Sequence, residues 1–230
     1  GALAQWIEQN QIDDDILLLT GDNYFGFNIS HFLKHYTPGT PLLAAFDISD
    51  PDQARAFGTV ILHSDKKRIA AFEEKPKVPK TTLVSTGCSV LPAATLPILV
   101  RHAKQHPDNV GGIFEELKQQ DWDIHCYTFS EPWFDVGSFQ AYLDATKSLV
   151  GKKLIMDQDS TCLESECSGS VVIGPRSHVN NCKLHNVVIF EDCQLSDCEL
   201  EDCIIDNAVE LQGIDLKGKM LREGTTLVKQ

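Results

Sequence analysis

Residues 173–205 read IGPRSHVNNCKLHNVVIFEDCQLSDCELEDCII, and their apolar positions keep a fixed metre. Ile173, Val179, Leu184, Ile189, Leu195, Leu200, Ile205, Leu211, Leu216 and Leu221 are separated by steps of six, five and five, taken three times, a repeat of 16 residues. Neither the 3.6-residue period of a helix nor the alternation of a sandwich strand produces both spacings. A triangular parallel β-solenoid does, because one apolar residue points inward from each of three faces and each coil stacks on the last. Val172, Val188 and Ile204 recur at the same interval. With coils about 4.8 Å apart, three to four of them predict a prism roughly 15–20 Å tall. Its open end leaves an unpaired coil edge, expected to be covered by a partner subunit or by the tail 221–230, so the solenoid is also the expected contact of a homo-oligomer.

Six of the eight cysteines fall in this half, at Cys162, Cys167, Cys182, Cys193, Cys198 and Cys203. Cys182, Cys193, Cys198 and Cys203 each stand two residues before an inward apolar position, so alternation turns them inward as small hydrophobes. Zinc prefers closely spaced ligand pairs on a turn, whereas Cys193, Cys198 and Cys203 would project from three successive faces. His178 and His185 read as turn residues.

Working toward the N-terminus, the period changes. Residues 13–150 alternate strand-like and helix-like stretches, with strands expected at Ile16–Thr20, Leu42–Phe46, Thr59–His63, Ile69–Phe72, Leu83–Leu91 and Ile124–Phe129, and helices at Asn28–Tyr36 and Ala93–Gln105. Ser138 is a good N-cap for an apolar helix over 139–150, which Gly151 closes. The expected organisation is an α/β domain over 1–150 followed by a β-solenoid over 151–230. The chain opens within a helical pattern at Leu3–Glu8 with no N-cap ahead of it, which points to an upstream segment outside this sequence.

Composition narrows the partners. With 20 basic and 33 acidic residues, the net charge of −13 repels nucleic acid and anionic lipid, so a phosphate ligand must be held by a cation, a placed Lys or backbone N–H groups. No apolar run approaches the roughly 20 residues of a membrane span and no leader opens the sequence; a cytoplasmic address is the expectation.

Three segments carry chemistry. Asp22 ends a strand in Leu19-Thr20-Gly21-Asp22-Asn23-Tyr24-Phe25, and Asp135 lies in Trp133-Phe134-Asp135-Val136-Gly137-Ser138. Two carboxylates from separate strand ends can share one Mg²⁺, which keeps its other positions for water and phosphate oxygens. Taken singly, each Asp reads equally well as the cap of a following helix. Between them stands Phe72-Glu73-Glu74-Lys75-Pro76, where Pro76 predicts an extended Lys75. Glu74 can accept from sugar hydroxyls and Lys75 can meet a phosphate as a point charge.

The order of these motifs, with Phe57-Gly58-Thr59-Val60 and Ser85-Thr86-Gly87 between them, resembles the sugar-1-phosphate nucleotidyltransferase family, with the nearest likeness to glucose-1-phosphate thymidylyltransferases and related NDP-sugar pyrophosphorylases. The resemblance covers residues 1–150 and implies a Rossmann-like nucleotidyltransferase domain; such proteins often append a left-handed parallel β-helix. It implies that Asp22 and Asp135 bind Mg²⁺, that Glu74 holds sugar hydroxyls and Lys75 the sugar phosphate, and that Gly58, Thr86 and Gly87 line the same pocket. Asp22, Asp135 and Lys75 would then be the catalytic groups in nucleotidyl transfer from a nucleoside triphosphate to a sugar 1-phosphate. The glycine-rich loop with which the family begins, and which cradles the triphosphate, is not in this sequence, so the chain alone is expected to turn over little or not at all. The rival expectation is a catalytically silent pyrophosphorylase-like subunit with a regulatory or assembly role.

Overall fold

The computed structural model describes residues 2–107, 109 and 111–229, which form two compact units divided between Asp135 and Val136. In the first unit the strands are β1 (Ile16–Leu19), β2 (Asn23–Phe25), β3 (Leu42–Asp47), β4 (Gly58–Leu62), β5 (Ile69–Glu74), β6 (Leu83–Leu91), β7 (His125–Phe129) and β8 (Trp133–Asp135). The helices are α1 (Ala2–Asn10), α2 (Ile29–Leu33), α3 (Pro51–Ala54), α4 (Leu96–Gln105) and α5 (Ile113–Gln119). The main sheet runs β5-β4-β6-β3-β7, with β1 also on β6. It is mixed: β3 and β7 are parallel, while the β1–β6, β3–β6, β4–β6 and β4–β5 pairs are antiparallel.

The run Leu42-Leu43-Ala44-Ala45 explains where the core lies. All four are buried, because β3 is covered on both faces. Leu43 and Ala45 join Ile7, Leu96, Leu99, Ile113 and Leu117 of α1, α4 and α5 on one face. Leu42 and Ala44 join Phe27, Phe32 and Tyr127 on the other. By contrast β1, expected to be a buried strand, alternates, with Leu17 and Leu19 40% and 45% exposed. Sequence periodicity missed α5, whose apolar side follows Gly111-Gly112, and the short ribbon of β2 and β8.

In the second unit helix α6 (Phe139–Val150) is capped by Ser138, whose Oγ accepts from Ala141 N at 3.1 Å, and ends at Gly151 with φ +67°. The rest is a parallel β-solenoid. One face stacks Thr161–Leu163, His178–Asn180, Gln194–Ser196, Glu210–Gln212 and Thr226–Val228, five strands where three to four coils were expected. Two features hid the first coil. Its inward positions hold Met156, Cys162 and Cys167, which pair in register with Ile173, Val179 and Leu184. A one-residue irregularity between Ser168 and Val171, containing Gly169 at φ +66°, also stretches the spacing to 17. The tail does not fold over the open end; it supplies the last strand, Thr226–Val228.

The inward ladder from Ile173 to Leu211 is buried, and Leu216 and Leu221 pack against it part-exposed. Corners turn at left-handed residues in columns 16 apart, such as Asn181, Asp197 and Gly213, and Asn186, Asp202 and Gly218. Asn, Asp and Gly tolerate that conformation best. Asn181 Nδ2 donates to Asp197 Oδ1 at 2.7 Å and Asn186 Nδ2 to Asp202 Oδ1 at 3.1 Å, linking successive coils. The inward cysteines are corner residues too: Cys182, Cys193, Cys198 and Cys203 each donate Sγ–H to the carbonyl two residues back, at 3.1–3.5 Å. His178 and His185 are not turn residues. They lie on strands, and their Nδ1 atoms stand 2.9 Å from Thr161 Oγ1 and Ser168 Oγ. The second recurring column, Val172, Val188 and Ile204, points outward and forms a seam with Leu143, Phe139 and Tyr142 of α6. No helix among the described residues is long and apolar enough to cross a membrane.

Candidate functional site

The site is built at one end of the first unit's sheet. Thr20, the residue after β1, donates its N–H to Gly87 O at 3.0 Å, which fixes where the chain leaves the sheet. Gly87 has φ +74°, and a Cβ there would lie 2.2 Å from Thr20 Oγ1, so no larger residue permits this junction. Asp22 follows on the open side, with nothing within 4 Å of a Cβ built on Gly21. Its Oδ1 accepts from Asn23 Nδ2 at 2.9 Å, and the same amide donates to Thr20 Oγ1 at 2.8 Å.

Asp135 reaches the same place along the β2–β8 ribbon, in which Asn23 pairs with Asp135 and Phe25 with Trp133. Asp135 is therefore directly opposite the residue that follows Asp22, and residues so paired have Cα atoms about 4.5–5.5 Å apart. Neither aspartate is a helix N-cap. The helix after Asp22 is capped by Asn28 and the helix after Asp135 by Ser138.

The third segment arrives on β5. Glu73 and Glu74 diverge: Glu73 pairs with Lys80 on the exposed side, and Glu74 turns into the cleft. Gly58 leaves room for it, since a Cβ there would meet Phe72 Cζ at 2.3 Å and Glu74 Oε2 at 2.8 Å. On the other side a Cβ on Gly111 would come within 2.8 Å of Glu74 Oε2. The carboxyl group is thus held between two glycines. Burial raises its pKa above the usual carboxylate range, the charge of Glu115 adds to this, and Lys75 and His102 work against it.

Lys75 departs from expectation. Instead of extended backbone before Pro76 it has φ +45°, with its N–H donated to Phe57 O at 3.1 Å. That last hydrogen bond, one residue past the end of β5, turns the chain sharply at the rim. A left-handed non-glycine residue costs of the order of 1–3 kcal/mol, and such strain gathers at functional sites.

Thr20, Asp22, Asn23, Phe57, Gly58, Glu74, Lys75, Thr86, Gly87, Gly111, Trp133 and Asp135 all line one cleft of about 210 Å³. Every candidate residue from the sequence is therefore there. Thr86 lines it with its hydroxyl already donated to Ala44 O at 2.9 Å, so it offers a wall rather than a proton. Asn23, Trp133 and Gly111 were not singled out from the sequence; only the tertiary structure brings them to this place.

Among the described residues no three His, Cys, Asp or Glu side chains converge on a point. Asp22 and Asp135 supply at most a two-carboxylate, all-oxygen donor set. That suits Mg²⁺, which commonly takes one or two protein carboxylates and fills its shell with water and phosphate oxygens.

A family model described as nucleotidyl transferase matches residues 1–151. Glucose-1-phosphate adenylyltransferase of Clostridioides difficile is 25% identical over 186 residues, covering 78% of this chain and 48% of that protein. The enzyme of the same name from Bacillus licheniformis is 30% identical over 149 residues, covering 60% of this chain and 38% of its own. The chain thus spans about half the length, or less, of the curated relatives it matches. With a family match over 151 of its 230 residues, the chain belongs to the nucleotidyl transferase family, among the sugar-1-phosphate nucleotidyltransferases.

Proposed function

We propose that the protein takes part in nucleotidyl transfer from a nucleoside triphosphate to a sugar 1-phosphate, releasing pyrophosphate and an NDP-sugar. The observation that carries this reading is the meeting of Asp22, Asp135, Glu74 and Lys75 in one cleft, from three separate segments. Glu74 accepts hydrogen bonds from sugar hydroxyls, for which its carboxyl group is confined between Gly58 and Gly111. Lys75, on the strained turn, meets the phosphate of the sugar. Asp22 and Asp135 hold the cation, and Asn23 orients Asp22 through its side-chain amide. Mg²⁺, when bound, draws the two phosphates together and screens their repulsion. The protein's own work is positioning and charge, as in phosphoryl transfer generally.

The test is NDP-sugar formation by the protein at its natural length, across a panel of hexose 1-phosphates and nucleoside triphosphates. Asp135→Asn should remove Mg²⁺-dependent turnover, and normal turnover by that variant refutes the assignment. Sugar 1-phosphate binding without turnover in the wild type would instead identify a silent, sugar-phosphate-sensing subunit.

A further inference from the structure

The inward layer of the solenoid's first coil carries three sulfur-bearing side chains. Register aligns Met156 with Ile173, Cys162 with Val179 and Cys167 with Leu184, so one thioether and two thiols stand where the next coil has three buried branched side chains. Cys162 Sγ and Cys167 Sγ are 3.8 Å apart. They are also the two accessible thiols among the eight: Cys167 is exposed and Cys162 partly so, while the other six are buried. Cys182, Cys193, Cys198 and Cys203 have backbone carbonyls within reach of their S–H groups, and Cys162 and Cys167 face each other. At this end of the stack Leu154 and Met156 are 44% and 42% exposed, so the layer can be reached.

The separation is informative. Two thiolates bound at about 2.3 Å to one ion with three sulfur donors, near 120° apart, stand about 4.0 Å from each other, close to the separation here. The pair already has chelating geometry, whereas a disulfide needs the sulfurs to close to about 2.05 Å. No third His, Cys, Asp or Glu joins them among the described residues, so a zinc site of three or four such ligands is not served. Two thiolates with a thioether form a soft donor set, the kind that selects monovalent copper.

We propose that Met156, Cys162 and Cys167 form a binding site for a soft monovalent cation of the copper(I) class at the open end of the solenoid. Two S–H bonds break, two sulfur–metal bonds form, two protons leave to solvent and no electron is transferred; the complex carries one net negative charge. Met156 gives the third, uncharged donor. The site shares no residue with the cleft and stands independently of the nucleotidyl-transfer reading.

The full chain, reduced and kept anaerobic, is titrated with copper(I) in competition with a chromophoric copper(I) chelator. The expected result is one equivalent bound, with thiolate-to-copper absorption in the ultraviolet. Cys162→Ser and Cys167→Ser each abolish that equivalent, Met156→Leu weakens it by about tenfold or more, and Cys193→Ser retains it. Circular dichroism of each variant separates loss of the site from loss of the fold. No bound equivalent in the wild type, or undiminished binding by either of the first two serine variants, overturns the site; unchanged affinity in Met156→Leu removes the third donor.

Discussion

Trp133 Nε1 donates to Asn23 Oδ1 at 2.7 Å, a bond between residues 110 apart in sequence. It locks the β2–β8 ribbon on which Asp22 and Asp135 are brought together, and the same Asn23 turns its amide to Asp22. One indole N–H therefore braces the segments that carry both Asp22 and Asp135.

Trp133→Phe keeps most of the aromatic packing against Phe46 and Phe57 but leaves Asn23 Oδ1 without its donor. A lost hydrogen bond of this kind costs about 1–2 kcal/mol of stability. Cation affinity should fall about tenfold or more, as when groups that orient ligands are removed. Thermal melts and Mg²⁺ titration check the two effects separately.

Glu74→Gln should trade function for stability. Because the folded state raises this carboxyl's pKa, the folded protein binds its proton more tightly than the unfolded chain does. The associated stability is present below the ordinary carboxylate pKa and is lost as pH rises through the raised one. The amide variant has no such loss. Urea midpoints should favour the variant near neutral pH and converge toward wild type in acid, while sugar 1-phosphate binding by the variant disappears.

Gly111→Ala places a methyl group 2.8 Å from Glu74 Oε2, and the atoms it meets belong to the end of a side chain that can yield. The fold should survive with Glu74 displaced. Sugar 1-phosphate affinity is expected to drop about tenfold, roughly 1.4 kcal/mol, with nucleotide affinity little changed; isothermal titration with glucose 1-phosphate and with a nucleoside triphosphate distinguishes them.

Cys193→Ser should be nearly neutral, within about 1 kcal/mol. Cys193 donates its S–H to Asp206 O at 3.0 Å, and one coil earlier Ser177 donates its hydroxyl to the equivalent carbonyl, Phe190 O, at 2.7 Å. Leu195→Ala, two residues on and at a fully inward position, should cost about 2–5 kcal/mol because the stack cannot close over the void. Denaturant unfolding of both variants tests whether corner and inward layer differ in this way.

Much of this architecture was written in local patterns. The 16-residue metre placed the solenoid and its inward cysteines, since an inward position in a coil needs an apolar or small side chain wherever its neighbours are. It failed on the first coil, where Met156, Cys162 and Cys167 fill the inward positions and Gly169 adds a residue to the spacing. The motif residues were legible as polar groups at strand ends beside glycine, but each aspartate alone read equally well as a helix cap.

The sequence by itself therefore determined the two kinds of architecture, the inward ladder of the solenoid, and the identity and order of Asp22, Glu74, Lys75 and Asp135. The tertiary structure decided that these four share a cleft, that Asn28 and Ser138 rather than the aspartates cap the helices, and that Lys75 is left-handed. It also decided that Val172, Val188 and Ile204 turn outward to meet α6. The division has a physical cause. Periodicity records which side of its own element a residue faces, whereas a bond such as Trp133 to Asn23 exists only once residues 110 apart in sequence have been packed together.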